Sequence, residues 1–237
     1  MSSKLAICIK SCHRDMDAGL HSAIRETWGK DAQALGIGLF FFMGEDPTQQ
    51  ETRVIRRYTS GEVVLRCPDD YEGLPRKTRV ICQWLEGKAY QHMFLCDNDT
   101  LVTPKKLLES GYEAYDYSGF MATEAPGRDD RGIIHLEPYT WASGGIGYFV
   151  SRRAARIVAD VQPRVWAEDV YVGETLKPYI EKGELTACDL QSLRAGTTEH
   201  WPKIGMDRGV TPEDIRLGYK HGGWRILFRQ GLLKAIR

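Results

Sequence analysis

Short apolar segments alternate with longer segments of helical periodicity along most of this chain. An apolar run of roughly four to eight residues is typical of a buried strand. We predict strands at residues 5–10, 37–43, 63–65, 92–96, 117–122 and 215–220. Glycines bound the second of these runs, which favours a strand there.

Between the strands, apolar side chains recur at intervals of three or four residues, which predicts helices. We predict helices at residues 17–28, 48–58, 75–89, 151–161 and 168–177, and two more that begin at Pro104 and at Trp224. Gly29 is expected to end the first, Ser151 to be the N-cap of the helix at 151–161, and Pro178 to end the helix at 168–177. In the first of these, Leu20, Ile24 and Trp28 form one apolar stripe that we expect to lie in the core.

The order of these elements places strands and helices in alternation. This alternation favours a mostly parallel sheet that helices cover on both faces. No internal repeat divides the chain, and no linker rich in Ser, Gly or Pro interrupts it. We therefore predict an α/β fold in a single domain over residues 1–237, with a charged loop at 126–132. The C-terminal part is expected to be irregular and to fold over the functional site.

The charge of the chain is balanced overall but uneven along its length. The 237 residues include 32 Lys or Arg and 32 Asp or Glu. General nucleic-acid binders usually carry a basic excess, and the whole chain has none. From residue 194 to the end, however, nine Lys or Arg stand against four acids, an excess of five positive charges. This basic tail leaves an anionic partner open.

The sequence shows neither a membrane segment nor a secretory leader. No apolar run approaches the roughly 18–20 residues that span a bilayer, and the N-terminus lacks an apolar signal region. The six cysteines form no CxxC pair and no zinc pattern, so we expect reduced thiols. Asn98, the only asparagine, opens a glycosylation sequon inside the candidate metal motif described next. Because a glycan would block that motif, we predict a cytoplasmic protein.

The first chemical motif is Cys96-Asp97-Asn98-Asp99-Thr100, directly after the strand predicted at 92–96. Ligands of open α/β sheets gather at the carboxyl ends of the strands. Two carboxylates one residue apart can share a hard divalent cation there, and such a cation can neutralise phosphate charge. Taken alone, the same residues could form a polar turn with solvated acids.

Three further segments carry residues suited to a binding site. Residues 141–148 include three glycines, which permit close backbone approach to a ligand; a plain turn between strands is the alternative. Glu168 and Asp169 open a predicted helix, where they could interact with the helix dipole or supply a general base. Residues 70–78 could contact a ligand or form a helix start with surface charge.

Taken in order, these segments carry a family resemblance. The chain resembles the β-1,3-galactosyltransferase/Fringe family of inverting glycosyltransferases with the GT-A fold. The matching segments are Ala23-Ile24-Arg25-Glu26-Thr27-Trp28-Gly29, Asp70-Tyr71 with Leu74 and Lys77-Thr78, Asp97-Asn98-Asp99, Ala142-Ser143-Gly144-Gly145-Ile146-Gly147-Tyr148 with Ser151-Arg152, and Glu168-Asp169-Val170-Tyr171-Val172-Gly173. Their order and spacing match the family over residues 5–173.

The chain departs from the family pattern at three positions. The family commonly has a third acid where Asn98 stands, an apolar β-branched residue where Thr100 stands, and another Arg where His21 stands. The Golgi anchor and stem of the family are missing, and the length suits a GT-A catalytic domain, so we expect the chain to be the whole enzyme. Beyond residue 173, where acceptor contacts are expected, the resemblance fades.

The resemblance implies the transfer of a sugar from a UDP-sugar to an acceptor hydroxyl, with inversion at the anomeric carbon. The implied cofactor is Mn²⁺ or Mg²⁺. Asp99 would be a direct ligand, and Asp97 would contact the metal or the ribose. The family usually adds one late histidine, for which we take His221, with His200 as its rival.

Asp169 is the implied general base, which would take the proton of the acceptor hydroxyl. Contacts with the nucleotide sugar are implied for Lys10, Ser11, Arg25, Lys77, Asp97, Ser143, Gly144, Gly145 and Glu168. A surface ion pair stays open for Arg25, and a helix-surface position stays open for Lys77. Residues 1–100 would form the nucleotide-binding half, 101–190 the donor-sugar and catalytic half, and 191–237 the acceptor or lid region.

We considered three alternatives to this interpretation. A phosphoryl-transfer hydrolase with an Asp-x-Asp nucleophile is disfavoured, because its small residue before the Thr is missing and the motif lies in mid-chain. A non-catalytic nucleotide-sugar-binding domain would be expected to lack Asp99 or Asp169, and both are present. We expect a saccharide or glycoconjugate acceptor, with a hydroxymethylated base in DNA as the alternative; binding to DNA would weaken steeply with salt.

Overall fold

The computed structural model of the protein describes residues 4–45, 61–124, 127–128, 134–135, 139–201 and 209–225. The helix predicted at 48–58 lies outside the described residues. The same holds for most of the loop predicted at 126–132, and for the final helix beyond Arg225.

The described residues form thirteen strands and eight α-helices. The strands are β1 (Leu5–Lys10), β2 (Gly38–Glu45), β3 (Glu62–Pro68), β4 (His92–Asp97), β5 (Thr100–Val102), β6 (Tyr117–Gly119), β7 (Met121–Glu124), β8 (Gly127–Arg128), β9 (Ile134–His135), β10 (Tyr139–Ala142), β11 (Tyr148–Ser151), β12 (Ala187–Asp189) and β13 (Thr198–His200). The helices are α1 (His13–Asp17), α2 (Leu20–Glu26), α3 (Trp28–Ala34), α4 (Leu74–Glu86), α5 (Pro104–Leu108), α6 (Arg152–Asp160), α7 (Glu168–Glu181) and α8 (Pro212–His221).

Seven strands form the main sheet, in the order β12-β6-β11-β4-β1-β2-β3. β1 pairs in parallel with β2 and β4, and β2 pairs in parallel with β3. β11 runs antiparallel between β4 and β6, and β12 pairs in parallel with β6. Two-stranded antiparallel ribbons join β7 with β10, β5 with β13, and β8 with β9. The predicted α/β fold with a mixed, mostly parallel sheet is confirmed.

The central strand β1 brings a charged residue to the edge of the sheet. All six residues of β1 are buried, as its apolar run predicts for a strand that is covered on both faces. Its last residue, Lys10, lies beside Asp97 in the parallel register of β1 and β4. Two neighbouring carboxyl ends therefore place a lysine and an aspartate at the edge where ligands of such sheets bind.

Two apolar layers cover the main sheet. Alternate residues of a strand point to opposite faces. Leu5, Ile7 and Ile9 pack in the layer that contains residues of α2, α3 and α8, whereas Ala6 and Cys8 pack with α4, α6 and α7. All six cysteines are free thiols, as expected. In the described part of the chain, no helix combines the length and the apolar character needed to cross a membrane.

The single helix predicted at residues 17–28 is wrong, because the segment belongs to the three shorter helices α1, α2 and α3. Gly19 separates the first two with a left-handed φ of 89°. Thr27, at φ −116° and ψ −122°, separates the second from the third. Trp28 is buried in the core, as predicted. Gly29 does not end a helix; a Cβ there would stand 2.6 Å from the carbonyl oxygen of Ile24.

The strand predicted at residues 215–220 is also wrong, because this segment forms most of α8. Thr211 and Asp214 form a capping box: each side chain accepts a hydrogen bond from the other's backbone N–H, at 3.2 Å and 2.9 Å. Pro212 occupies the first turn. Both features are signals of a helix start that the sequence already contains.

Two other boundaries differ from the predictions. Helix α7 continues through Pro178 to Glu181. The proline cannot donate a hydrogen bond within the helix, but the backbone N–H of Lys182 still donates to the carbonyl of Pro178 at 3.4 Å. The strand predicted at 117–122 divides at Phe120, so that β6 joins the main sheet and β7 pairs with β10.

Candidate active site

A cleft of about 800 Å³ opens at the carboxyl edge of the main sheet. Its volume lies within the roughly 300–1,000 Å³ that small-molecule sites occupy. The ends of β1 and β4 and the start of α4 contribute to its wall. Among the polar residues of this wall are Lys10, Ser11, Asp15, Asp69, Lys77, Asp97, Asn98 and Asp99.

Lys10 forms ion pairs with two carboxylates at this edge of the sheet. Its ammonium group donates to Glu168 Oε2 at 2.6 Å and lies 3.2 Å from Asp97 Oδ1, and its side chain is 1% exposed. Burial alone would lower the pKa of Lys10, but the two carboxylates outweigh burial and raise that pKa. Lys10 therefore keeps its charge and ties the end of β1 to β4 and α7.

Glu168 is a buried carboxylate that connects four elements. Oε1 accepts hydrogen bonds from Thr78 Oγ1 at 3.0 Å and from the Tyr148 hydroxyl, while Oε2 accepts from Lys10. Burial raises the pKa of Glu168, and the charge of Lys10 partly offsets that rise. The carboxylate thus holds the start of α7 against β1, α4 and β11.

The next residue, Asp169, is half-buried and faces the glycine turn between β10 and β11. Its Oδ2 accepts from the backbone N–H of Gly144 at 3.0 Å, and its Oδ1 accepts from the backbone N–H of Val170 at 2.9 Å. A Cβ at Gly144 would stand 3.0 Å from Glu168 Oε2 and 3.4 Å from Asp169. Glycine at this position therefore allows both acids to approach the turn.

Within the described residues, Asp97, Asp99 and His200 form one group of potential metal ligands, whose ligand atoms lie within 4.8 Å of one another. His200 Nε2 is 3.0 Å from Asp99 Oδ1 and 3.8 Å from Asp97 Oδ2. Backbone contacts hold the group together. His200 on β13 pairs with Thr100 on β5, and the N–H of Trp201 donates to the carbonyl of Asp99 at 2.9 Å.

Of the two late histidines, the structure therefore brings His200 to the aspartates. His221 is the last residue of α8 and does not belong to the group. The segment before His221, predicted as a strand at residues 215–220, is helical. His200 follows no local signal of its own, because it reaches Asp99 only through the pairing of β13 with β5.

The donor set of this group fits a divalent cation. Two carboxylates provide the hard oxygen ligands that Mg²⁺ and Mn²⁺ accept, and an imidazole nitrogen is a ligand typical of transition metals. All three side chains are half-buried and converge on one point. The chemistry of the residues is therefore compatible with the divalent cation that the family resemblance implies.

The glycine turn also makes room for His200. A Cβ at Gly145 would stand 3.1 Å from the His200 ring, so a side chain there would push the ring away from the aspartates. The carbonyl of Gly145 accepts from Thr100 Oγ1 at 3.2 Å. Ser143 opens the turn, and its carbonyl accepts from the backbone N–H of Gly147 at 3.0 Å. The three predicted residues 143–145 thus share one turn between Asp169 and His200.

Ser11 and Lys77 line the cleft, but Arg25 does not. The Lys77 side chain is 1% exposed, and its Nζ donates to the Ser11 carbonyl at 2.5 Å and to Asp69 Oδ1 at 2.9 Å. A helix-surface position for Lys77 is therefore wrong. Arg25 donates to Glu62 Oε1 at 2.9 Å, so the ion-pair alternative describes it.

Two aspartates of the cleft were not predicted as site residues. Asp69 holds Lys77 and precedes the motif that begins with Asp70, so a signal lay close by. Asp15 accepts from Asn98 Nδ2 at 2.8 Å across 83 residues of sequence. No local pattern indicates that contact.

The chain is similar to proteins of known family and of known structure. The family model described as galactosyltransferase matches residues 21–180. A glycosyltransferase involved in the glycosylation of the major capsid of PBCV-1 is 13% identical, with 91% of this chain and 98% of that chain covered and a TM-score of 0.45. The inositol-1-phosphate CTP transferase from T. maritima is 10% identical, with 79% and 84% covered and a TM-score of 0.41. These structural likenesses carry no argument about activity, and no curated protein sequence matches the chain significantly.

Lys10→Met is expected to lower the free energy of unfolding by about 3–5 kcal/mol near neutral pH, because it leaves the buried Glu168 carboxylate without its cation. The loss should shrink as the pH falls. Burial raises the pKa of Glu168, and without Lys10 that pKa rises further, so the folded state binds a proton more readily than the unfolded state. Urea unfolding at two pH values measures this.

The matched control is the double variant Lys10→Met with Glu168→Gln, which removes both charges together. It should be more stable than Lys10→Met alone. A loss that is independent of pH, or a double variant that is no more stable than the single one, would contradict the ion pair as the source of the effect.

Gly145→Ala is expected to weaken Mn²⁺ binding roughly tenfold, because the added Cβ displaces the His200 ring. Gly87→Ala is the matched control, since a Cβ there meets no atom closer than 3.9 Å. Calorimetric titration with Mn²⁺ compares the two. Equal affinities in both variants would contradict the expected displacement of the His200 ring.

Proposed function

The chain belongs to the galactosyltransferase family, and on that premise we propose that it moves a sugar from a UDP-sugar to an acceptor hydroxyl with inversion at the anomeric carbon. The family establishes a glycosyltransferase. One observation carries the finer proposal: the same glycine turn contacts both halves of the chemistry. Gly145 abuts His200 of the candidate metal group, and Gly144 donates to the candidate base Asp169.

We infer that Asp97, Asp99 and His200 hold the divalent cation. When bound, the cation neutralises the diphosphate of the donor and stabilises the leaving UDP. The imidazole nitrogen favours Mn²⁺ over Mg²⁺, because Mg²⁺ prefers an octahedral set of oxygen ligands and keeps several waters. His200 replaces His221 in this proposal.

The cleft supports the binding of a nucleoside diphosphate. Ser11 and Asp97, at the ends of β1 and β4, line the part that we assign to the nucleoside. Lys77 supplies positive charge for the phosphates next to Ser11, because its ammonium group donates to the Ser11 carbonyl and is held by Asp69. We assign residues 143–145 to the donor sugar, because that turn lies between the candidate metal group and Asp169.

Asp169 acts as the general base of the displacement. A hydroxyl is a poor nucleophile until its proton is removed in the transition state. The acceptor oxygen forms the new bond to the anomeric carbon, the bond to UDP breaks with its electron pair, and the proton passes to Asp169. The N–H groups of Gly144 and Val170 orient the carboxylate. Glu168 does not contact the donor in this proposal; it positions the start of α7 through Lys10.

We propose a saccharide or glycoconjugate as the acceptor and a cytoplasmic location. Asn98 is 9% exposed and its amide donates to Ser11 and Asp15, so an N-linked glycan would be incompatible with the fold. Fractionation of the native cells tests the location. The alternative acceptor, a hydroxymethylated base in DNA, depends on the basic tail, of which residues 202–208 and 226–237 lie outside the described residues.

The proposal is tested with a panel of nucleotide sugars in the presence of Mn²⁺, Mg²⁺ or a chelator, with release of the nucleotide as the readout. We expect turnover of a UDP-sugar with Mn²⁺, less with Mg²⁺, and none with the chelator. Acceptor screening with the active donor follows, and NMR of the product reads the anomeric configuration. Turnover in the chelator, or a retained configuration, would refute the mechanism. Transfer to modified DNA that falls steeply with salt would favour the alternative acceptor.

Asp169→Asn is expected to lower kcat by about 10²–10⁴-fold, because the amide cannot accept the proton. Binding of UDP and Mn²⁺ should stay at the level of the unaltered protein, since both ligands are assigned to other residues. Asp160→Asn, at the exposed end of α6, is the matched control. Near-normal transfer by Asp169→Asn would remove Asp169 from the role of base.

A further inference from the structure

A chain of hydrogen bonds runs from the candidate metal motif into the core beneath it. Asn98 Nδ2 donates to Asp15 Oδ2 at 2.8 Å and to Ser11 Oγ at 2.9 Å. Ser11 Oγ lies 2.8 Å from His21 Nε2, and His21 Nδ1 lies 3.1 Å from Glu62 Oε1. We call these five residues the Asn98 network.

The partners at the two ends fix the direction of every bond in this network. An ionised carboxylate only accepts hydrogen bonds, so Glu62 requires a proton on His21 Nδ1. In the neutral ring Nε2 is then an acceptor, and the Ser11 hydroxyl must donate to it. The same Ser11 oxygen accepts from Asn98. The bonds therefore all run from Asn98 towards Glu62, and position 98 must be a donor.

Burial enforces this arrangement. His21 is 2% exposed, Ser11 5% and Asn98 9%. The His21 ring stacks on Phe41 with 4.2 Å between the centroids, and Glu62 also accepts from Arg25 at 2.9 Å. Burial lowers the pKa of His21, which favours the neutral ring that the network requires. Reversed bonds would need a buried, charged imidazole.

The network also requires an amide rather than a carboxylate at position 98. An aspartate at position 98 could not donate to Ser11 and would place a carboxylate within about 3 Å of Asp15, where like charges repel. Asn98 and His21 thus form matched ends of a contact that passes through Ser11.

We infer that Asp15, Ser11 and His21 are positioning residues that hold Asn98 and, through it, the loop that carries Asp97 and Asp99 in a metal-binding geometry. This inference rests on the proposed function, because it assigns the support of the same candidate metal group. Residues that orient metal ligands from behind typically change affinity by about 10–100-fold when they are replaced.

Asn98 can be observed directly, because it is the only asparagine in the chain. Protein labelled with ¹⁵N-asparagine should give one side-chain amide pair in the NMR spectrum. In the absence of metal, Asp15→Ala and Ser11→Ala should each shift this pair, and His21→Phe should shift it as well, although His21 does not contact Asn98. Gln33→Glu, on the exposed face of α3, is the control and should leave the signals in place.

The affinity for Mn²⁺, measured without a nucleotide sugar, then distinguishes a positioning role of Asn98 from a purely electrostatic effect of the charge at position 98. Asn98→Asp adds a negative charge between two candidate ligands, which by Coulomb attraction should tighten binding. Positioning predicts the opposite, a loss of about tenfold. The double variant Asn98→Asp with Asp15→Asn restores a donor and an acceptor between the two positions, and it should recover much of that loss. Electron paramagnetic resonance of free Mn²⁺ gives the Mn²⁺ affinity of the unaltered protein, of Asn98→Asp and of the double variant.

His21→Phe and Ser11→Ala should each weaken Mn²⁺ binding, and their combination should be no weaker than Ser11→Ala alone, because both act through one hydroxyl. Additive losses, unchanged affinities, or tighter binding by Asn98→Asp would overturn the inference while the proposed function stands. A second outcome is that the unaltered protein binds no Mn²⁺ and that added Mn²⁺ does not broaden the Asn98 amide signals. The metal-dependent function then fails, and the inferred role in metal binding fails with it. The two failures can be distinguished. If only the positioning inference fails, the unaltered protein still binds Mn²⁺; if the metal-dependent function fails, it does not.

Discussion

Lys10 ends a strand that is buried along its whole length, and an ammonium group in such a place keeps its charge only beside carboxylates. Glu168 and Asp97 provide them, at 2.6 Å and 3.2 Å. Asp97 follows from the parallel pairing of β4 with β1. Glu168 must be brought from the far part of the chain, so the start of α7 has to lie over the carboxyl edge of the sheet. The position of Asp169 is a consequence of the same contact.

The glycine turn between β10 and β11 decides how closely the other parts of the site approach. At Gly144 the missing side chain leaves room for Glu168 and Asp169, and at Gly145 it leaves room for the His200 ring. The candidate base and the candidate metal group therefore lie on two sides of one backbone turn. Main-chain geometry thus sets the distance between the candidate base and the candidate metal group.

Local patterns predicted five of the seven strands of the main sheet and several helices, because burial on both faces and capping leave direct marks on the sequence. Ser151, for example, caps α6 as expected and accepts from the backbone N–H of Ala154 at 3.1 Å. The break between α2 and α3 at Thr27 was not predictable, since no local sequence signal marks it and only packing in the folded chain stabilises it. The sequence contains the capping box of Thr211 and Asp214, which correctly indicates a helix, whereas the apolar residues that follow it favour a strand.

By itself the sequence determined the class of fold and the motif of Asp97 and Asp99, because alternating burial and residues two positions apart are local properties. Tertiary structure alone decided that His200 joins these aspartates and that Arg25 turns away to Glu62. Ligands of one site can come from distant segments, and strand pairing rather than sequence spacing brings them together. A local pattern can therefore indicate which residues are able to bind, while the folded sheet decides which of them meet.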